Sequence, residues 1–221
     1  MFSDKLCCVD TKAAASFFGA RQLPVIRIDL SQIESLPTAL SHDFYNEPQF
    51  KYLLPDEEMR RTLVPCLFRY IARSGQVFGE IYTTEDIDGG AVWISRGDTF
   101  TLEGLARTAI LVTPFKLGWS SFRRYINLSR RLQTVHERLA SGPHWYLMSL
   151  GLKPSKLENN IAPALLRPLL SRADSDGLPC YLETFRERDL PFYKDFGFRV
   201  EGAGRIPTGG PNFWAMIRPP Q

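Results

Sequence analysis

The sequence predicts a single α/β domain, and two observations carry that expectation. Residues 144–200 run as an apolar strand, a loop, a helix, a second apolar strand and a short helix. The first of these strands, His144–Leu152, is apolar on both faces, which requires cover on both sides of a sheet. With 221 residues, one domain carrying an insertion is the simplest division, and 44% hydrophobic residues suffice for its core.

The elements follow in order. Residues 1–23 read as a flexible leader, and the domain spans 24–221. Val25–Ile28 alternates like a first strand. Ser31 and Glu34 form a capping box ahead of a helical stripe of Ile33, Leu36, Leu40 and Phe44. Asp56 is placed to cap a second helix, whose buried stripe reads Met59, Leu63, Leu67, Tyr70 and Ile71. Pro65 falls inside it and predicts a kink or a break, and Gly75 predicts its end.

Val77–Thr83 and Ala91–Ser95 read as two strands of a hairpin joined by the turn formers of residues 85–90. Residues 97–143 then form a helical insertion between the third and fourth strands. One stripe runs through Leu102, Leu105, Ala106, Ala109 and Ile110, and a second through Tyr125, Leu128, Leu132, Val135 and Leu139. Arginines such as Arg123, Arg130 and Arg138 lie off the second stripe, as on a solvated face. After His144–Leu152 come a helix at Pro163–Ala173, a buried strand at Pro179–Phe185 and a short helix at Asp189–Phe196, which Gly197 ends. Phe198–Ala203 and Asn212–Ile217 complete the sheet.

Composition narrows the function. Twenty-seven basic and 24 acidic side chains leave a net charge of +3, without the concentrated basic face that nucleic acid requires. No apolar run approaches the ~20 residues of a membrane span. Asp4 and Asp10 interrupt any signal-peptide core. Cys7, Cys8, Cys66 and Cys180, with His42, His136 and His144, offer no metal-ligand spacing. Free thiols fit a reducing cytoplasm.

Tyr146–Pro154, Ala164–Asp174, Gly177–Thr184 and Asp189–Tyr193 leading into Gly197-Phe198 together resemble the GNAT N-acetyltransferase superfamily. Pro211–Met216 resembles that family's last strand. Pro48 with Tyr52–Asp56, and Gly79–Tyr82 with Trp93, fit a subgroup with a helical insertion. The resemblance covers roughly residues 25–218. It implies a mixed, mostly antiparallel sheet with helices on both faces. It also implies a bulged fourth strand that splays from the fifth, and acetyl-CoA as cosubstrate in the gap. The implied reaction is direct acetyl transfer to an amine of a small molecule or peptide, by a monomer or homodimer. Backbone groups of Ser149, Gly151 and Leu152, with Leu150 between them, would line the pantetheine arm.

The family's pyrophosphate loop aligns with Leu157, Glu158, Asn159, Asn160, Ile161 and Ala162. A helix start offers unpaired N–H groups and a positive dipole end to such an anion. Ala162 fits the pattern. Asn160 replaces a glycine but tolerates the left-handed region. Leu157, Glu158 and the N–H-less Pro163 weaken anion binding, so two readings stand: a weakened cofactor loop, or a mere helix-capping turn in a non-catalytic binding module.

Amine acetylation needs a base for the ammonium and a proton for the departing thiolate. Tyr193 matches the family's general acid; core packing beside Phe192 and Phe196 is the alternative. Glu183, in an apolar strand, and Glu80, on an earlier strand, are candidate bases, or else structural acceptors. Asp189 stands where the family has an asparagine and reads either as a helix cap or as a cofactor contact. Cys180 reads as packing. Trp93, Trp119, Phe44 and Tyr45 are candidate walls of an acceptor pocket, or core.

Overall fold

The computed structural model describes residues 24–28, 36–37, 44–96, 118–153 and 160–221. The leader, the capping box at Ser31, the first insertion stripe and Leu157–Asn159 lie outside the described residues. Seven strands form one sheet: β1 (Val25–Arg27), β2 (Gly79–Thr84), β3 (Gly89–Arg96), β4 (His144–Leu152), β5 (Cys180–Thr184), β6 (Arg199–Arg205) and β7 (Asn212–Arg218). Their spatial order is β1-β2-β3-β4-β5-β7-β6. Every pairing is antiparallel except β4 with β5, which is parallel. The described helices are α1 (Pro48–Leu53), α2 (Glu57–Phe78), α3 (Trp119–Leu139), α4 (Ile161–Ser175) and α5 (Leu190–Asp195).

Helices cover both faces, as the apolar pattern of β4 requires. On one face Val64, Phe68 and Ala72 of α2, with Leu128 and Val135 of α3, pack on Ile81, Val92 and Tyr181. On the other, Leu165, Leu166 and Leu169 of α4 pack on Trp93, Trp145 and Leu182. Each such leucine contributes roughly 1.5–3 kcal/mol by leaving water.

Helix α2 departs from expectation in three ways. It does not break at Pro65; it runs continuously from Glu57 to Phe78. Its fully buried stripe is Val64, Phe68, Ala72 and Gly75, one position beyond the expected set, while Met59 is exposed. Gly75 does not end it. A Cβ there would meet Val92 Cγ1 at 2.7 Å and Ile81 Cγ1 at 2.8 Å, so this glycine permits close helix–sheet packing. Gly79 makes the turn into β2 instead, where any Cβ would collide with the Trp93 carbonyl. The Asp56 cap is as expected: its carboxylate accepts the Met59 N–H at 2.8 Å.

Candidate functional site

The two central strands begin together and then part. β4 and β5 pair at Trp145–Cys180, Tyr146–Tyr181 and Leu147–Leu182, and no further. β4 continues to Leu152, paired along its other edge to β3. That pairing slips at Val92/Trp93: Val92 faces Ser149 and Trp93 faces Leu147, leaving Met148 as the extra residue of a bulge. Beyond Leu147, therefore, one edge of β4 has no strand beside it, and backbone groups there need another partner.

A cavity of about 100 Å³ fills this gap. Met148, Ser149 and Leu150 of β4 line it, with Glu183 of β5 and, beyond, Asp189 and Tyr193. Gly151 and Leu152 are not on its wall; they pair with Gly90 and Gly89 of β3. Ser149 is buried, and its hydroxyl has no hydrogen-bond partner. A second cavity, of about 310 Å³, lies among α1, α2, α3 and the sheet. The two share Gln49, Leu132, Tyr146, Met148 and Glu183 as a common wall.

Tyr193 reaches the cleft because α5 is tightly closed behind it. Its carbonyl accepts the N–H groups of Phe196 and Phe198, each at 3.1 Å, around Gly197 at φ 84°. Its ring stands edge-on to Phe192 and Phe198. Glu183 is half-buried and accepts the Tyr181 hydroxyl at 2.8 Å. Tyr181 in turn stacks on His136, whose Nε2 lies 2.7 Å from that of His144.

Asp189 does not act as a helix cap. It precedes α5 with helical backbone and makes no side-chain cap bond. Its carboxylate turns instead to Arg186 Nε at 2.7 Å. Arg186 also pairs at 2.9 Å with Glu47, a buried carboxylate on the smaller cavity's wall that the sequence reading missed. Glu47 precedes Pro48 at the start of α1, and no periodicity marks it.

Of the loop residues, Asn160 adopts the left-handed conformation expected of a glycine substitute, at φ 54°. Ile161 begins α4 with its side chain buried in the core, and Ala162 follows it. First-turn amides of a helix lack partners within it; Pro163 contributes none.

The structure does not bring Glu80 to the cleft. Glu80 pairs in register with Trp93 and lies on the sheet face opposite Glu183. There it is held by Arg172, by Arg27 at 3.3 Å and by the Tyr82 hydroxyl at 2.7 Å. Burial, then the bond to Glu80, pushes the Tyr82 hydroxyl up to about 12. Glu80→Gln is expected to cost about 1–2 kcal/mol in urea titrations, since both arginines are half-exposed and regain water, while kcat changes less than about twofold. Cys180 is packing: burial pushes its thiol up to about 12, far from a nucleophilic thiolate. Among the aromatic candidates, Phe44 lines the smaller cavity, Trp93 is core and Trp119 is exposed.

No family model matches the chain. Over 181 residues it is 23% identical to an uncharacterized N-acetyltransferase of Schizosaccharomyces pombe, spanning 78% of this chain and 72% of that protein. A Corynebacterium glutamicum structure, described as a histone acetyltransferase HPA2 and related acetyltransferase, superposes with a TM-score of 0.66 at 24% identity, over 91% of this chain and 98% of that one. Arylalkylamine N-acetyltransferase 2 of Aedes aegypti gives a TM-score of 0.59 at 10% identity, over 90% and 99%. At such identities the structures share a fold. The chain is thus related in sequence to an N-acetyltransferase and shares, with its parted central strands, the fold of solved acetyltransferases.

Proposed function

We propose that the protein is an acetyl-CoA-dependent N-acetyltransferase that passes the acetyl group directly to an amine. The observation that carries this is the parting of β4 and β5, which lines one cleft with an open strand edge, a carboxylate and a tyrosine. The residues present fit the cosubstrate. The β4 edge at Met148–Leu150 and the orphaned Ser149 hydroxyl suit the amides of a pantetheine arm. The left-handed Asn160 and the first amides of α4 suit its phosphates. Bound there, acetyl-CoA supplies an activated acetyl thioester.

Within this reading Glu183, on the wall between the cavities, takes the proton that the incoming ammonium must lose. The Tyr193 hydroxyl supplies a proton at the departing sulfur. Glu47 and Asp189 hold Arg186 at the cleft's rim. Glu183→Gln should lower kcat/KM at neutral pH by about tenfold or more and recover toward high pH, where the free amine needs no base. A flat loss at every pH would exclude Glu183 as that base.

The altered loop predicts weak cosubstrate binding, with a Kd for acetyl-CoA above about 1 μM by calorimetry. Glu158 adds a negative charge to the segment that the resemblance aligns with the pyrophosphate loop, and Pro163 lacks an amide N–H. Leu157→Gln combined with Glu158→Gly should tighten binding. Sub-micromolar affinity in the unaltered protein would contradict this account of the loop, and no binding of acetyl-CoA or CoA would favour a non-catalytic module. We assign the protein to the cytoplasm, in keeping with the free thiols of Cys66 and Cys180. Among the described residues no helix is long and apolar enough to cross a membrane.

A further inference from the structure

We infer that the acceptor is a hydrophobic monoamine, a single primary amine on an aliphatic or aromatic body of modest size. This rests on the acetyltransferase reading above and names its substrate class. The larger cavity, about 310 Å³, lies at the small end of ligand sites, which run roughly from 300 to 1,000 Å³. Most of its wall is apolar, from side chains such as Phe50 of α1 and Leu67 and Ile71 of α2, while Ser74, Ser129 and Gln133 place a few polar groups on it.

The groups that recognise an amine gather at one end. Glu183 and Gln49 both belong to the wall shared with the smaller cavity, the side from which the acetyl group must arrive. The Gln49 Oε1 is buried without a hydrogen-bond partner. An acceptor left so is destabilising, and the N–H groups of an amine relieve it. Glu183 receives the charge. An amine seated here leaves its body among leucines, isoleucine and aromatic rings.

A diamine fits poorly. Its far ammonium would lie against that apolar wall, where the described lining residues include no carboxylate besides Glu183. His136, also on the wall, has its Nε2 engaged by His144 at 2.7 Å. A buried charge without a partner is strongly disfavoured. A peptide acceptor would carry backbone amides into the same wall, where each amide without a partner is destabilising.

The test compares 2-phenylethylamine and hexylamine with putrescine, agmatine and a lysine peptide at constant acetyl-CoA, reading kcat/KM, together with thermal shifts by each amine alone. The expected preference for the two monoamines is about 100-fold, and these two should also give the larger thermal shifts. Leu67→Trp, which fills the cavity, should lower kcat/KM for phenylethylamine by about tenfold relative to ethylamine with CoA affinity unchanged. Should that variant not fold, the wild-type comparison decides alone. Transfer to putrescine, agmatine or the peptide within tenfold of the monoamines overturns the inference and leaves the acetyltransferase reading standing. Failure to bind CoA, with no transfer to any amine, overturns both.

Discussion

Replacing Tyr193 with phenylalanine is expected to lower kcat for acetyl transfer by about 10²–10³-fold while the Kd for CoA stays within about threefold. The substitution separates two roles that the sequence left together. As a packing residue Tyr193 works through its ring, which meets Phe192 and Phe198 edge-on at centroid separations of 5.2 and 6.1 Å. Phenylalanine keeps both contacts. It also keeps the carbonyl that receives Phe196 and Phe198 at the Gly197 turn, so α5 should close as before. What disappears is the hydroxyl of a ring lining the cleft between the parted strands. A proton donor is needed there because a departing thiolate gains little from apolar surroundings. Single-turnover kinetics beside calorimetry with CoA would show the split. An unchanged rate would take Tyr193 out of the proton transfer and return it to the core.

The sequence showed the frame of the site better than its chemistry, and the reason lies in what periodicity can report. β4 was legible to the residue because a central strand is apolar on both faces and ends where polar residues resume. The short helix carrying Tyr193 was legible because Gly197 fixes its end. The carboxylates were not. Glu80 and Glu183 look alike in the chain, each an acid in an apolar strand; strand alternation does not say which face is which until the sheet order is known. Glu47 lies outside any regular stripe, and its burial depends on Arg186 from far along the chain. Asp189 carries the residue type of a cap, but the backbone before α5 is already helical, so its carboxylate serves Arg186. Gly75 carries the residue type of a helix end, yet close packing against Val92 uses the same missing Cβ. The larger cavity needs three helices and the sheet together, which no local pattern announces.

Arg218→Met is expected to destabilise the fold by about 2–3 kcal/mol at pH 7, measured by urea unfolding. Arg218 ends β7 with its side chain buried, and its two terminal nitrogens meet the Asp174 carboxylate at 2.6 and 2.7 Å. Its Nε donates to the Phe196 carbonyl at 2.8 Å. One guanidinium thus joins the end of α4, the end of α5 and the last strand. Methionine fills much of the volume but satisfies neither the carboxylate nor the carbonyl. The hydrogen bond to Arg218, aided by the Gln221 N–H, holds the Asp174 carboxyl below its ordinary range. A folded carboxyl that resists protonation means that the unfolded chain binds more protons in acid. The pair therefore stabilises fully above the unfolded aspartate value of about 3.9, and this contribution is lost as pH falls through the lower folded value. Arg218 stays charged throughout, because Asp174 raises it further above its ordinary value. The stability gap between wild type and variant should accordingly be widest above about pH 5 and shrink progressively toward pH 2. A gap unchanged across that range would show that Asp174 is not the group through which Arg218 acts. Because α4 begins at the Asn160 turn and α5 carries Tyr193, acetyl transfer by the variant should fail at a lower temperature in parallel with its unfolding.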